Sequence, residues 1–345
     1  MKKWNFGIIG AGLIADFHAK AIQSLENANL TGIWGSNPEK VRKLADKYHC
    51  RAFKDEKELL SCEDIEIVTI ATPSGAHMEP AVQAALYNKH VLCEKPLEVT
   101  LDRIDRMIEA HSKSGTNLGG IFNYRFNEAP RLVKTAIENH RFGTLTYASV
   151  HVPWWRNETY YHKSWHGTRA LDGGGALMNQ AIHMIDLLQY LMGPVESLQG
   201  YTATLAHSIE VEDTGAAVLK FRNNALGIIY GSTASYPGQF RRLEITGTKG
   251  TVIQVENSFK EWHFADQTEK DIEIFTKFNQ IEGGGGVSDP AAIPFEPHAR
   301  NIAAFIDSVE YEHRFEIDGT EARKAVEIVQ AIYSSDKEKK IIFFH

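Results

Sequence analysis

The segment Gly7-Ile8-Ile9-Gly10-Ala11-Gly12-Leu13-Ile14-Ala15 constrains this chain more than any other. An apolar run from Trp4 to Ile9 ends in two glycines one residue apart, and helical spacing begins directly after them. Such a turn lets the backbone reverse at Gly10, approach an anion closely at Gly12 and pack the next helix tightly through Ala15. The amides and positive dipole end of that helix then face whatever the turn holds. The ligand suited to this arrangement is the pyrophosphate of a dinucleotide, with Gly10, Gly12, Leu13 and Ile14 as the cofactor-facing positions. A second strand after the helix supplies the context that a merely structural glycine turn does not need.

That second strand, Leu30–Trp34, runs into Gly35-Ser36-Asn37. An NAD site usually carries an acidic residue here for the ribose 2′-hydroxyl, and Gly35 stands in its place. Ser36, Asn37 and Lys40 are available donors, so the sequence admits NAD or NADP. Lys40 also reads as a solvated residue of the following helix.

At about 150 residues per domain, 345 residues predict two domains. The first third alternates short apolar runs with helical segments, which forces parallel strands joined by crossover helices. Strands are expected near Trp4–Ile9, Leu30–Trp34, Ile65–Ala71, His90–Cys93 and Asn117–Phe122. Helices are expected at Ala15–Leu25, Pro38–Tyr48, Pro80–Asn88 and Leu101–Ser112. From Thr144 the pattern changes to strand-like alternation, with hairpins turning at Asn223–Asn224 and Thr248–Gly250. One long helix, Ala176–Leu191, precedes these hairpins, and helices near His298–Val309 and Thr320–Ser334 follow a glycine-rich loop at Gly283–Gly286. The fold class is therefore α/β: a Rossmann domain over 1–122, then an α+β domain with an open, mainly antiparallel sheet over 123–345.

A net charge of −7 disfavours nucleic acid and anionic membranes as partners. No apolar run approaches the ~18 residues of a spanning helix, and a cytoplasmic location is expected. The cysteines, Cys50, Cys62 and Cys93, are scattered, so no zinc site of the alcohol-dehydrogenase kind and no other metal site is expected.

Two further motifs carry chemistry. Glu94-Lys95-Pro96 follows the strand His90–Cys93, where side chains at a strand's C-terminal end face the ligand crevice, and Lys95 there can donate to a substrate oxygen. Taken alone, the tripeptide equally reads as a turn closed by an ion pair. In Gly173-Gly174-Gly175 through Asn179, His183 and Asp186, an α-helix places Asn179 and His183 four apart on one face, where the amide can steady the imidazole. Taken alone, His183 reads more readily as a core histidine. The glycines opening the helix invite the close approach of something to its N-terminus.

Together the glycine turn, Ala71-Thr72-Pro73 with His77, Glu94-Lys95-Pro96 and GGG-x3-N-x3-H-x2-D resemble the Gfo/Idh/MocA oxidoreductases. The resemblance spans essentially the whole chain. It implies reversible hydride transfer between a secondary alcohol of a sugar or cyclic polyol and nicotinamide. A sugar acid or nucleotide sugar is included, because some members with asparagine at the Asn179 position take nucleotide-linked amino-sugars or uronates. Lys95 and His183 are implied catalytic, with Lys95 steadying developing alkoxide charge and His183 as general base. Thr72, Pro73, His77, Glu94 and Asn123 match the family's positions around the nicotinamide and its ribose. Many members carry aspartate where this chain has Asn179, so an Asp–His relay is not expected. A homodimer or homotetramer is implied.

Substrate specificity is expected from the second domain. Arg156 can pair with a carboxylate or phosphate, and Trp165, in the aromatic stretch from Trp154, suits a sugar face. Arg125, Asp186 and His298 are further pocket candidates. Two rival activities remain at this point: a glycosidase of the same fold that retains NAD, and a dinucleotide-sensing regulatory protein.

Overall fold

A computed structural model describes residues 2–162, 164–281 and 294–344. Its internal contacts divide the chain into two units, residues 2–123 with 170–173 and 294–326, and residues 124–169 with 174–281 and 327–344. The first crossing of the chain falls after residue 123, where the sequence reading places the cut after 122, and the segments 170–173 and 294–326 return to the first unit. The expected glycine-rich loop at Gly283–Gly286 lies outside the described residues.

The first unit is built on six parallel strands, β1 (Trp4–Ile9), β2 (Ala28–Trp34), β3 (Arg51–Ala52), β4 (Ile67–Ile70), β5 (His90–Cys93) and β6 (Leu118–Gly120). Their order is β3-β2-β1-β4-β5-β6, the doubly wound arrangement whose crevice opens at the C-terminal ends of the central strands. Helices α1 (Leu13–Gln23), α2 (Pro38–Tyr48), α3 (Glu56–Leu60), α4 (Met78–Leu86) and α5 (Leu101–Ser114) join them. Because helices cover both faces, central strands read as continuous apolar runs: Ile67, Val68 and Ile70 are each fully buried. Sequence boundaries follow local chemistry. Asn37 accepts from the amides of Glu39 and Lys40 and Pro38 stands at the first helical position, so α2 begins as its sequence predicts. β3 and α3 carried too little periodicity to be foreseen, and β6 is shorter than the expected Asn117–Phe122.

The second unit holds α6 (Glu128–Glu138), β7 (Leu145–Pro153), α7 (Glu158–Tyr161), α8 (Ile182–Met192), β8 (Val195–Ala203), β9 (Thr214–Phe221), β10 (Leu226–Ser232), β11 (Arg242–Gly247), β12 (Gly250–Val255), β13 (Ser258–Phe264) and α9 (Glu269–Phe278). With β14 (Ile342–Phe343), eight strands form one sheet in the order β13-β12-β11-β7-β10-β9-β8-β14. All pairs are antiparallel except β7 with β10. Both hairpins form where expected, the first turning through Asn224 in the left-handed region at φ +68°. Leu177, Ala181 and Leu188 are buried beside the inner face, while Tyr201, Val218, Leu226 and Phe343 are exposed on the outer one. The returning segment carries α10 (Glu296–Glu310) and the start of α11 (Gly319–Glu338), whose part from Glu327 belongs to the second unit.

One helix departs from expectation where it matters. Residues Ala176–Ala181 form a π-helical turn, and α-helical geometry starts only at Ile182. The wider turn, closed by i→i+5 bonds, alters the face-sharing assumed for Asn179 and His183 on a continuous α-helix.

Candidate active site

In the first unit the glycine turn has the geometry its sequence requires. Gly10 lies at φ +127°, and a Cβ there would sit 2.4 Å from the carbonyl oxygen of Ala71, so only glycine fits. Gly12 caps α1 in extended conformation, no side chain caps that helix, and a Cβ at Gly12 would meet nothing within 4 Å. The first-turn amides of α1 are thus left for an external acceptor beside open space, which fits a pyrophosphate. Leu13 is 49 % exposed next to them and Ile14 is half-buried.

At the end of β2 a Cβ on Gly35 would approach Ala11 to 3.1–3.2 Å, so an acidic residue is sterically disfavoured there. Ser36, Asn37 and Lys40 are exposed, but Asn37 Oδ1 is committed to the α2 cap at 3.1 Å from two amides.

Two turns at the C-terminal ends of β4 and β5 are tied together by His77. Its Nδ1 lies 2.9 Å from the Pro96 carbonyl and its Nε2 3.0 Å from the Thr72 carbonyl, while Thr72 Oγ1 donates to the Ala76 carbonyl at 2.9 Å. His77 is buried, so it braces the Thr72-Pro73 turn against the Lys95–Pro96 turn. The peptide bond between Lys95 and Pro96 is cis. Lys95 is half-buried, and its amide donates to Glu94 Oε2 at 3.1 Å.

The carboxylate of Glu94 is itself buried. Its Oε1 lies 3.0 Å from His18 Nε2 and 3.4 Å from His298 Nε2, and Asn123 Nδ2 reaches His298 Nδ1 at 3.2 Å. Burial pushes the Glu94 carboxyl up, but the bonds to His18 and His298 win and hold it well below the usual carboxylate range. Burial also pulls the His18 imidazole below its ordinary value. Ligand atoms of His18, Glu94 and His298 gather within 4.8 Å, close enough to hold a metal ion, although hydrogen bonding accounts for the same spacing. His298, expected to line the substrate pocket, therefore lies in the cofactor-binding unit, against Glu94, Asn123 and the ring of Phe17.

In the second unit, the His183 ring stacks on Tyr124 with centroids 4.5 Å apart. Asn179 and Gln180 stand side by side on the π-turn, with Gln180 Nε2 donating to Asn179 Oδ1 at 3.0 Å and to the Tyr160 hydroxyl at 2.9 Å. Asn179 Nδ2 lies 3.5 Å from His166 Nδ1, whose ring stacks on Tyr160 at 4.4 Å and touches Trp165 at 4.0 Å. Arg156, only 3 % exposed, donates through Nη2 to Gln180 Oε1 at 2.8 Å and through Nη1 to the Trp155 carbonyl at 3.0 Å. Burial pulls its guanidinium below the ordinary value.

Arg125 and Asp186, both expected as pocket residues, are paired with each other. The guanidinium makes two bonds to the carboxylate, at 2.7 and 2.5 Å, and both side chains are 1 % exposed. They hold one another inside the unit, Arg125 also covering the face of Tyr190 at 4.4 Å. Gln180 and Tyr124 were missed from the sequence. Gln180 adjoins Asn179 in the same motif and was open to detection, whereas nothing local marks Tyr124.

The chain resembles known proteins over its whole length. Residues 4–120 match the model of an oxidoreductase family with an NAD-binding Rossmann fold, and residues 131–253 match the GFO/IDH/MocA C-terminal domain. The crystal structure of the WlbA dehydrogenase from Bordetella pertussis, in complex with NADH and UDP-GlcNAcA, superposes with a TM-score of 0.89 at 33 % identity, covering 100 % of this chain and 98 % of that one. Myo-inositol 2-dehydrogenase of Thermotoga maritima is 26 % identical over 98 % of both chains. The 2,7-anhydro-N-acetylneuraminate hydratase of Escherichia coli is 27 % identical over 72 % of this chain and 66 % of its own length. Among the described residues no helix is long and apolar enough to cross a membrane. With the glycine turn, the braced Lys95 loop and the His183 helix in place, the chain belongs to the Gfo/Idh/MocA family of NAD-binding oxidoreductases.

Proposed function

We propose that this enzyme oxidises a secondary hydroxyl on the sugar ring of a nucleotide-linked sugar acid, in the reversible manner of a dehydrogenase. The observation that carries this choice among sugars and polyols is Arg156, a buried guanidinium held by Gln180 beside Asn179 on the turn that leads to His183. A permanently charged fork in that setting suits a carboxylate or phosphate better than a neutral polyol. The full-length likeness to a dehydrogenase solved with UDP-GlcNAcA supports the same class.

In this reading His183 takes the proton of the reacting hydroxyl and Lys95 donates a hydrogen bond to the oxygen as alkoxide charge develops. NAD, when bound at Gly10, Gly12 and the start of α1, supplies the acceptor for the hydride. Loss of one proton and one hydride converts the CH–OH carbon to a ketone. Asn179, being neutral, orients its neighbours without adding charge. Thr72, Pro73 and His77 keep the Lys95 loop in place, and Ser36 and Lys40 remain the surface groups that set the preference between NAD and NADP. Trp165 contributes an apolar plane for the sugar. The exposed apolar side chains on the outer face of the second sheet, Tyr201, Val218, Leu226 and Phe343, support a homo-oligomer.

The test is a spectrophotometric screen with NAD against UDP-GlcNAcA, myo-inositol and a neutral anhydrosugar, reading nicotinamide reduction. Turnover of UDP-GlcNAcA well above the neutral compounds supports the reading, and turnover of neutral polyols alone sinks it. A second reading is favoured by the likeness to a hydratase: nicotinamide that stays bound through purification, with substrate consumed and no net change in its redox state.

A further inference from the structure

We infer that Glu212 and Asp213, consecutive buried carboxylates just before β9, are the positioning pair of the substrate side, one setting the turn that carries Asn179 and Gln180 and leads to His183, the other setting Arg156. The role rests on the reading above, in which those residues meet the substrate.

The first arm is a grip on the start of the π-turn. Glu212 Oε2 accepts from the Gly175 amide at 3.0 Å and Oε1 from the Leu177 amide at 2.8 Å, and the Glu212 carbonyl accepts from the Ala176 amide at 3.0 Å. Three successive amides at the head of the turn, which have no partner within the helix, are thereby satisfied by one residue. The Tyr333 hydroxyl donates to Oε1 at 2.9 Å and holds the carboxylate in that posture. The glycines are explained by the same contact: a Cβ on Gly175 would lie 1.8 Å from the Glu212 carbonyl oxygen, and one on Gly174 would lie 2.1 Å from the Tyr333 hydroxyl. The close approach that the glycine run invites is therefore made by the chain itself. Burial pushes the Glu212 carboxyl upward, opposed by the amides of Leu177 and Gly175 and by Tyr333.

The second arm runs through a loop. Asp213, fully buried, accepts from the amides of Leu205, Ala206 and His207 at 2.7–3.1 Å, and its Oδ2 lies 3.2 Å from His207 Nδ1. His207 Nε2 then lies 2.8 Å from the carbonyl oxygen of Arg156. With Nδ1 facing a carboxylate and Nε2 a carbonyl, His207 links Asp213 to the backbone that carries the guanidinium. The two arms converge, because Arg156 Nη2 bonds Gln180 Oε1 on the turn that Glu212 grips. Neither carboxylate touches the reacting atoms in this scheme; each fixes the placement of a group that does.

The experiment compares wild type with Glu212→Gln, Asp213→Asn and Tyr333→Phe, with His207→Phe as the alternative if Asp213→Asn fails to fold. Without any sugar, amide hydrogen exchange over residues 174–183 and the histidine ring NMR signal of His183 are recorded in the NADH complex. Glu212→Gln is expected to raise exchange at Leu177 and shift the His183 signal while NADH affinity stays within about twofold, since the nucleotide turn belongs to the other unit. With the best substrate of the screen, Glu212→Gln lowers kcat about 10- to 100-fold, as small misplacements of reacting groups do, and Asp213→Asn or His207→Phe mainly raises KM. Tyr333→Phe shows a weaker form of the Glu212→Gln effect. Unchanged exchange and an unchanged His183 signal in Glu212→Gln, or kcat and NADH affinity falling together in every variant, overturn the assignment. If wild type turns over no sugar, the proposed activity fails, and the exchange and NMR arms still decide the positioning role.

Discussion

Replacing Arg125 by methionine separates a substrate-binding arginine from an internal one. The Arg125–Asp186 pair is bidentate at 2.7 and 2.5 Å and each partner is 1 % exposed, so the deletion leaves a carboxylate buried without its cation. At an effective dielectric constant near 20, two unit charges about 4 Å apart attract by roughly 4 kcal/mol. Breaking one side of a buried pair typically costs about 3–5 kcal/mol, and the two figures agree. At about 2–4 °C per kcal/mol, Arg125→Met should lower the melting temperature by about 6–20 °C. Asp186→Leu alone should do comparable damage, whereas the double variant Arg125→Met with Asp186→Leu should recover to within about 1 kcal/mol of wild type, because it removes both buried charges together. Thermal and urea unfolding of the four proteins closes the cycle. A single variant that melts like wild type but raises KM strongly would show Arg125 reaching the substrate and refute the argument.

Other outcomes follow from the same structure. Lys95→Ala and His183→Ala should each cut turnover by about 100-fold or more and leave NADH binding intact by nicotinamide fluorescence; comparable turnover would remove them from the chemistry. Gly10→Ala forces a Cβ to 2.4 Å from the Ala71 carbonyl oxygen at a positive φ and should lower stability and NADH affinity together. Gly12→Ala, whose Cβ enters open space, should leave melting of the unliganded protein unchanged while weakening NADH, a contrast visible by calorimetry. His111 is buried with its ring between the Thr116 hydroxyl and the Ala81 carbonyl, and burial pushes its pKa from 6.5 down to about 4. The unfolded chain binds this proton first, so stability present above pH 6.5 should fall between there and about pH 4, by up to about 3 kcal/mol. A His111→Gln variant should flatten that part of the pH–stability curve.

The cofactor turn was legible because its constraints are local. A positive φ at Gly10, a bare helix start at Gly12 and a buried Ala15 all lie within one strand and one turn, and the sequence motif names them directly. Strands β7, β9, β10, β11 and β12 were legible for the same reason, since alternation and turn residues suffice. β8 and β13 were not foreseen, because neither is flanked by a strong turn signal recognisable as a hairpin. Pairings across long sequence distances stayed hidden. Arg125 and Asp186 were singled out as polar residues near motifs, yet their choice of each other across 61 positions has no local signature. Glu212 drew no notice either, although the glycines it requires did: the motif recorded the space and not its occupant. His298 was read by chain order as a substrate residue, and only the return of its segment to the first unit reveals its place beside Glu94.

That return has a consequence for how the protein can be made and remade. The chain passes between its two units after residues 123, 169 and 173, between residues 281 and 294, and after residue 326. In the first unit the amide of Gly120 on edge strand β6 donates to the Ile317 carbonyl at 2.8 Å, and Trp4 Nε1 reaches Glu310 at 3.4 Å. During synthesis, the nucleotide-binding half must therefore wait for the last quarter of the chain before its edge is closed and its Glu94 network complete. A gene fragment ending near residue 123 would express an unfinished half with an uncovered sheet edge, prone to associate with other copies. Chimeras that exchange specificity between relatives should accordingly carry residues 170–173 and 294–326 with the N-terminal portion and treat the nucleotide-binding unit as a three-segment graft.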